Sequence, residues 1–311
     1  MNEEMISSAE LSRAACCNLG ESFVTNPSVD VSYSDAATGA KQIKLLGLSG
    51  TYVQMLTENI PNYRGAASPY GLGYVPGPWM QSIQVSKGIS SVKNGYEAIT
   101  GQINVEFKKP QLPEADWVSA NLFASSTNRY EANADATLKL SKRWGTSLLA
   151  HYENETKAHD GNDDGFVDIP QVEQYNLWNR WAYMGDHYVF QAGFKALSES
   201  RTSGQAHHTD MQTGDLYKVG IDTERYELFT KNAYIFNKEK NTNLALILSA
   251  SWHNQDAIYG RKLYNVDQTN VYASLMFETE FNKQNSFSAG LSFNYDAYDQ
   301  HYRLENQTEL P

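Results

Sequence analysis

The feature that most constrains this chain is an alternation of apolar and polar residues, with a period of two, that recurs from residue 117 onward. Its clearest case is 129–141, RYEANADATLKLS. One face of that segment carries Tyr130, Ala132, Ala134, Ala136, Leu138 and Leu140, and the other carries Arg129, Glu131, Asn133, Asp135 and Lys139. Successive side chains of a strand point to opposite faces, so a period of two predicts a strand. The pattern predicts nine strands, at about 117–125, 129–141, 146–157, 174–185, 188–199, 216–236, 242–258, 271–282 and 286–302.

The connections between these strands also alternate. From the second strand onward, short turns (SKRWG, GDH, NKEKN, NKQN) alternate with longer polar loops (AHDGNDDGFVDIPQ, SRTSGQAHHTDMQTG, RKLYNVDQT). This arrangement is typical of a transmembrane β-barrel, in which one strand face meets lipid and the other a wet lumen. A soluble β-sandwich is the alternative, although it has less reason to keep turn lengths in phase. Nine strands do not close neatly, so we expect an incomplete sheet with two open edges.

Composition excludes several classes of protein. The formal net charge of −11 argues against a nucleic-acid surface. No apolar run approaches the roughly 18 residues of a membrane helix, and the first residues lack the pattern of a signal peptide. Hydropathy alone therefore indicates a soluble protein, but the low average hydropathy of a transmembrane barrel gives the same result. The 20 Tyr, 12 Phe and 6 Trp favour the barrel, because aromatic residues are enriched at membrane interfaces.

The chemistry-bearing residues do not suggest an enzyme. The seven histidines are scattered, and no Gly-x-Ser-x-Gly, His-Glu-x-x-His or phosphate-binding motif is present. The cysteines are the neighbours Cys16 and Cys17, which are poorly placed to link distant segments. We expect them to be small buried residues on a helix, in preference to a redox or metal role.

The first part of the chain has mixed signals. Ser7 and Glu10 fit a capping box, which predicts a short helix through AELSRAACC. Short β-type stretches follow (VDVSYSD, KQIKLLGL, YVQMLTENIP), then a loop rich in Gly, Pro and Tyr (NYRGAASPYGLGYVPGPW). The segment 83–107, IQVSKGISSVKNGYEAITGQINVEF, has two β-type ends and recurring glycines at Gly88, Gly95 and Gly101. These signals predict a small α/β unit.

This unit resembles the plug domain of TonB-dependent outer-membrane receptors. In that family a strand leads to a "dG-vP" turn, where this chain has YVQMLTENIP with Glu58-Asn59 in place of Asp-Gly. The last plug strands of the family carry a pattern like "IEVvkGp-sslyGs-AiGGvInI-TK". The positions that fall on it are Ile83, Val85, Lys87, Gly88, Gly95, Ala98, Ile99, Gly101, Ile103, Asn104 and Lys109. Those glycines are expected to allow tight turns and close packing against the barrel wall.

The resemblance implies a mainly β fold with a plug domain at 1–112, followed by an incomplete antiparallel barrel at 113–311. It places the family's signal peptide, energy-coupling box and first plug strand upstream of Met1, and about 22 barrel strands are usual in these plugged transporters. The implied function is active uptake across the outer membrane of a Gram-negative bacterium, with the periplasmic TonB complex, lipid and a small ligand as partners. The expected ligand is an iron-siderophore, haem, cobalamin or similar metal complex. An oligosaccharide receptor and a non-transporting surface-binding β-protein are the alternatives.

The plug loop from Asn62 to Trp79 is the candidate ligand site. Its side chains suited to stacking, cation–π and anion contacts are Tyr63, Arg64, Tyr70, Tyr74 and Trp79. In the family the upward plug loops meet the ligand, so we expect these residues at the top of the lumen. The alternative is that they brace the plug against the barrel wall.

An acidic loop is a candidate calcium (Ca²⁺) site. HDGNDDGFVD places Asp160, Asn162 and Asp164 at alternate positions before Gly165, with Asp168 and the Phe166 carbonyl as further ligands. Gln171 stands where an EF-hand has its bidentate Glu, so a polar turn-forming loop is the alternative. A third candidate is His207 and His208 with Asp210 and Met211, which would contact a metal chelate or haem. We expect a solvated loop instead, because adjacent histidine side chains diverge on an extended strand.

Overall fold

The structure, a computed structural model, describes most of the chain. The described residues are 2–14, 17–23, 26, 29–48, 50–88, 97–110, 112, 117–207, 215–282 and 284–304. Several residues singled out above lie outside these ranges: Gly95, Cys16, His208, Asp210 and Met211. Among the described residues, no helix has both the length and the apolar character needed to cross a membrane.

The first part of the chain forms a small mixed domain. Its strands are β1 (Asn2–Ser7), β2 (Asp30–Asp35), β3 (Ala40–Lys44), β4 (Val53–Thr57), β5 (Ile60–Pro61), β6 (Met80–Lys87) and β7 (Gly101–Phe107). Its helix is α1 (Ser8–Ala14), and short 3₁₀ turns lie at Leu19–Phe23, Gly50–Tyr52, Gly65–Ala67 and Gly77–Trp79. Five strands form one sheet in the order β1-β6-β7-β4-β5, and β2 pairs with β3. The apolar residues of β6 and β7 lie in its core, where Ile83, Val85, Ile103 and Val105 are fully buried.

The start of the chain departs from the sequence prediction in two ways. The structure has a strand that the sequence did not predict, β1, paired antiparallel with β6. The prediction missed β1 because Asn2–Ser7 has few apolar residues. The predicted helix is present but ends at Ala14, so Cys17 is buried outside it. The capping box is confirmed, since the Ser7 amide and hydroxyl both donate to Glu10 Oε2, at 2.7 and 2.8 Å.

Of the glycines in the predicted plug motif, Gly101 lies where two backbone segments approach closely. A Cβ at Gly101 would lie 2.2 Å from the carbonyl oxygen of Ser86, so only glycine fits without a shift of the backbone. Gly88 differs, because a Cβ there would meet nothing within 4 Å, but its φ of +85° still favours glycine. The two glycines flank the pairing of β6 with β7, where Lys87 pairs with Gly101.

The rest of the described chain forms one antiparallel sheet of nine strands. They are β8 (Trp117–Ala124), β9 (Tyr130–Lys139), β10 (Trp144–Glu155), β11 (Gln171–Met184), β12 (Tyr188–Gly204), β13 (Lys218–Asn237), β14 (Thr242–Tyr259), β15 (Lys262–Asn282) and β16 (Asn285–Leu304). Each strand pairs with its sequence neighbours, and β8 and β16 form the two edges. All nine predicted strands are therefore confirmed, and within the described residues the barrel is not closed.

The sheet buries its polar face. In β9, Glu131, Asn133 and Asp135 are at most 4 % exposed, whereas the apolar side chains of Tyr130 and Leu138 are about half exposed. The buried polar face packs against the plug, as in the ion pair between Lys108 and Asp135. This is the reverse of a soluble sandwich and confirms the assignment of the two faces from sequence.

Aromatic residues mark two levels on the exposed face. Near the short turns, the ring centroids of Trp144 and Tyr183 lie 5.0 Å apart, and near the long loops those of Tyr152 and Tyr175 lie 4.9 Å apart. Along β10 the two levels are eight residues apart, which is roughly 27 Å at about 3.4 Å per residue. A strand tilt of about 40° reduces this to roughly 21 Å, close to the apolar band of about 25 Å in membrane barrels.

One predicted loop is wrong. RKLYNVDQT was expected to be a long loop, but β15 begins at Lys262 and only Gly260 and Arg261 separate it from β14. The beginning of β15 is polar on both faces, with Asn265 and Asp267 on one and Gln268 and Asn270 on the other. The alternation that identifies a half-apolar strand is therefore absent there.

Candidate ligand-binding site

A cavity of about 350 Å³ lies between the plug and the sheet, at the end of the strands that leads to the long loops. We call it the vestibule. The plug contributes Cys17, Asn18, Glu21, Tyr33, Lys41 and Tyr70, and the wall contributes Phe123, Arg129, Glu153, Glu155, Gln174, Glu199 and Arg201, among others. The wall residues come from β8, the turn before β9, and the ends of β10, β11 and β12. The vestibule is thus a site built jointly by the two parts of the chain.

Ion pairs join the plug to the wall across the vestibule. Arg129 Nη1 lies 2.8 Å from Glu21 Oε1, and its Nε lies 2.8 Å from Glu131 and 3.0 Å from Glu153. Burial alone would raise the pKa of Glu21, but Arg129, together with Lys41 at 4.0 Å, holds it below its ordinary value. Glu21 is therefore a carboxylate at neutral pH, and it anchors the plug end of the network.

A second pair lies on the wall beside Tyr70. Arg201 donates from Nε and Nη2 to Glu199 Oε1, at 3.1 and 3.0 Å, and from Nη1 to the Thr38 carbonyl at 3.2 Å. Its guanidinium carbon stands 5.0 Å from the ring centroid of Tyr70. Gln174 also donates to Glu199, at 2.7 Å, so that carboxylate is fully engaged.

Two wall acceptors lack such a partner among the described residues. Gln174 is 1 % exposed, and because its Nε2 donates to Glu199 and to the Gly73 carbonyl, its Oε1 has no hydrogen-bond partner in the described part of the chain. Glu155 is 6 % exposed, is hydrogen-bonded to Thr127 and feels the positive charge of Arg129, but among the described residues no cation lies within ion-pair distance of it. The vestibule therefore offers oxygen atoms that a bound ligand can use.

The predicted plug-loop residues do not gather in one place. Tyr70 lines the vestibule and also a neighbouring cavity of about 330 Å³ that Tyr259, Tyr264 and Tyr298 line. Arg64 lies at a different wall contact, 3.1 Å from Asp296 of β16, and is also paired with Glu97. The structure thus places these two residues, but not the other three, near the long-loop end.

The other three predicted residues are buried between the plug and the wall. Lys195 donates to the Tyr63 hydroxyl at 2.9 Å and to the Tyr74 carbonyl at 3.1 Å. The ring of Trp79 lies 6.2 Å from that of Trp178. Burial raises the pKa of the Tyr63 and Tyr74 phenols, which therefore stay protonated. In this structure these side chains lie at contacts between the plug and the wall.

A buried ion-pair cluster fixes the plug nearer the short-turn end. Glu58 is 3 % exposed, and Arg180 Nη2 lies 2.7 and 2.8 Å from its two carboxylate oxygens. Lys231 Nζ lies 3.4 Å from Glu58 Oε2. Burial alone would raise the pKa of Glu58, but Arg180 and Lys231 hold it at about 2. Glu58 and Asn59 both have positive φ, as a type I′ turn requires, so a Glu replaces the usual Asp without loss of the turn.

The acidic loop is folded around its own backbone. Asp160 accepts hydrogen bonds from the amides of Asp164 and Gly165, and Asp164 accepts from Phe166. Asn162 donates to Asp164, and Asp168 accepts from the amide of Gly161. Among the described residues, no group of three or more His, Cys, Asp or Glu side chains is arranged to hold a metal ion. The described part of the histidine loop places His207 Nδ1 3.8 Å from Asp160 Oδ2.

Sequence reasoning did not identify the wall residues of the vestibule. Glu155 and Gln174 occupy inward positions of predicted strands, and that polar face was assigned to the lumen as a whole. Arg201 was placed in the predicted loop SRTSGQAHHTDMQTG, but the strand continues to Gly204. The alternation shows which residues face inward, but it does not show which of them face the plug loops.

Comparison with known proteins finds similar proteins for both parts of the chain. The sequence model of the TonB-dependent receptor plug domain matches residues 2–102. No curated protein matches the chain. Similar solved structures include the copper transporter OprC (TM-score 0.78, 12 % identity, 96 % of this chain and 47 % of OprC covered) and the siderophore receptor PiuA of Acinetobacter baumannii (0.75, 12 %, 96 % and 46 %). A third is the ferric yersiniabactin uptake receptor FyuA of Yersinia pestis (0.71, 15 %, 97 % and 50 %).

These matches agree with the architecture. The chain spans about half the length of the solved receptors, and the identities are low enough that the structural likeness concerns the fold alone. The matched plug residues coincide with the small mixed domain of β1 to β7, and the nine-stranded sheet supplies the barrel part. Residues 2–102 therefore match the plug domain of TonB-dependent receptors, and the nine-stranded sheet that follows has the fold of part of their β-barrel.

Proposed function

We propose that the chain is part of an outer-membrane receptor that takes up a scarce ligand in a TonB-dependent manner. The ligand is an iron-siderophore, haem, cobalamin or similar metal complex. The observation that carries the proposal is the vestibule, because a chamber between the plug and the long-loop end of the sheet is where a ligand arriving from outside would be held.

Three further features support it. The exposed apolar face, with its two aromatic levels, suits a position in the outer membrane. The plug fills the lumen side of the sheet, so a ligand cannot pass until the plug moves, and the periplasmic TonB complex is the partner that would move it. The similar solved structures are named as a copper transporter and as siderophore receptors.

The experiment is a metal-uptake assay in the source bacterium. A deletion strain and a strain complemented with the full-length gene are grown under metal limitation, and cellular iron, cobalt, copper and zinc are measured by mass spectrometry. Deletion should lower the content of one metal, and loss of TonB or of the proton-motive force should lower it equally. Unchanged metal contents, with a growth defect on polysaccharide instead, would favour the oligosaccharide receptor and overturn the metal assignment.

The calcium loop is also a proposal. Its support is the alternation of Asp160, Asn162 and Asp164 and the φ of +86° at Gly165, which gives the sharp bend that a calcium loop needs. Calorimetric titration of the full-length receptor with Ca²⁺ should show heat that is lost in the Asp160→Ala, Asp164→Ala double variant. Asp163→Asn, which alters a neighbouring acid outside the pattern, is the control. Equal heats for the wild type and the double variant would remove the site.

A further inference from the structure

We infer that the vestibule selects a ligand of net positive charge that presents hydrogen-bond donors, a cationic metal complex and not an anionic chelate. The inference rests on the proposed function and names the substrate class for the same site. Two buried oxygen acceptors of the cavity can still accept hydrogen bonds, whereas its cations are already paired with carboxylates.

Two buried oxygen acceptors of the vestibule, on Gln174 and Glu155, have unused hydrogen-bonding capacity. Gln174 Oε1 has no partner among the described residues although its residue is 1 % exposed. A flip of the Gln174 side-chain amide would be unfavourable. Its Nε2 donates to Glu199 and to the Gly73 carbonyl, and after a flip the amide oxygen would face those two acceptors. Glu155, at 6 % exposure, is hydrogen-bonded to Thr127 and has no ion-pair partner among the described residues. Buried acceptors left in this state favour a ligand that donates to them.

The cations of the vestibule are matched by carboxylates. Arg129 lies within 3.0 Å of Glu21, Glu131 and Glu153. Arg201 is bound to Glu199, and Lys41 lies 4.0 Å from Glu21. An anionic ligand would have to separate such a pair and leave a buried carboxylate alone, which is costly. A cationic ligand separates none of them.

The net charge of the side chains that line the cavity also favours a cation. Four carboxylates line the cavity (Glu21, Glu153, Glu155 and Glu199) against three cations (Lys41, Arg129 and Arg201). The acidic loop, with Asp160, Asp163, Asp164 and Asp168, directly precedes the wall residue Pro170 in the chain. A cleft with this excess attracts cations and repels anions.

The test uses two exchange-inert cobalt(III) complexes of similar size and opposite charge. Hexaamminecobalt(III) is a trivalent cation whose ligands donate hydrogen bonds, and hexacyanocobaltate(III) is a trivalent anion whose ligands accept them. Full-length receptor in detergent is equilibrated with each probe by dialysis, and bound cobalt is measured by mass spectrometry. We expect the cation to bind at least about tenfold more tightly than the anion, and its affinity to fall with added salt.

A variant locates the effect. Glu155→Gln keeps the shape of the side chain and removes its charge, and it should weaken cation binding by about tenfold or more. Asp186→Asn makes the same chemical change at an exposed short turn and should leave binding unchanged. Because the two probes are also compared on the unaltered receptor, the inference does not depend on the folding of a variant.

The outcomes are distinct. Equal binding of the two probes, tighter binding of the anion, binding of neither, or an unchanged affinity in Glu155→Gln would each overturn the inference. These measurements require no energy source, so their failure is separate from the failure of TonB-dependent uptake in cells.

Discussion

Replacing Glu58 with glutamine should loosen the plug where it meets the wall. The substitution keeps the size of the side chain but leaves Arg180 and Lys231 facing an uncharged amide. The pKa of Glu58 lies at about 2, against an ordinary value of 4.5. This difference corresponds to about 3 kcal/mol at about 1.4 kcal/mol per pKa unit. Removing one partner of a buried ion pair typically costs about 3–5 kcal/mol, which agrees with it.

The effect can be measured by amide hydrogen exchange of the full-length receptor in detergent. The amides of β4, directly before Glu58, exchange when this part of the plug opens and breaks the ion pair. A loss of about 3 kcal/mol should therefore speed their exchange roughly a hundredfold.

Glu106→Gln is the matched control for this measurement. Glu106 also pairs with a cation of the plug, Lys109 at 2.8 Å, but both side chains are partly exposed. Such pairs contribute at most about 1 kcal/mol. If the two variants exchange at the same rate in β4, the Glu58 cluster does not hold the plug, and the reasoning is refuted.

Three further outcomes are expected. Because the pKa of Glu58 is depressed in the folded protein, the stabilisation by Glu58 is fully present above about pH 4.5 and is lost as the pH falls towards 2. The difference in β4 exchange rate between the wild type and Glu58→Gln should therefore disappear over that range, and a constant difference would contradict this. Gly101→Ala should destabilise the plug strongly in thermal denaturation, whereas Gly88→Ala should cost only about 1 kcal/mol; equal costs would count against the close approach at Gly101. Replacing Arg64 and Tyr70 with alanine should weaken ligand binding to cells while receptor abundance is unchanged; a fall in abundance with binding intact would make them bracing residues.

The strands were predictable because a sheet with one apolar and one polar face imposes a local rule on sequence. Each residue of β9 must suit either the exposed or the inward face, so the pattern is visible without knowledge of any neighbour. The rule weakens where neither face is apolar. The beginning of β15 around Asn265 and the short strand β1 were missed for that reason.

The candidate site and the other contacts between plug and wall were harder to predict, because each joins residues that are distant in sequence. Glu58 and Arg180 are separated by 122 positions, and the sequence around either residue does not indicate that the other is its partner. Tyr63 and Tyr74 belong to a loop whose composition suggests ligand binding. Their contacts with Lys195 depend on how the plug packs against the sheet. Composition therefore indicated which loop is unusual, and only the assembled structure shows what each side chain contacts.

The polar inner face of the sheet has a consequence for the plug as a removable part. A wall of Glu, Asn, Asp and Arg side chains is compatible with two fillings, the plug or water, because these groups exchange protein partners for hydration when the plug leaves. An apolar wall would be left exposed and would collapse or aggregate. A few ion pairs and buried rings therefore set how firmly the plug is held against the sheet. Substitutions at those few contacts would change that hold without altering the sheet itself.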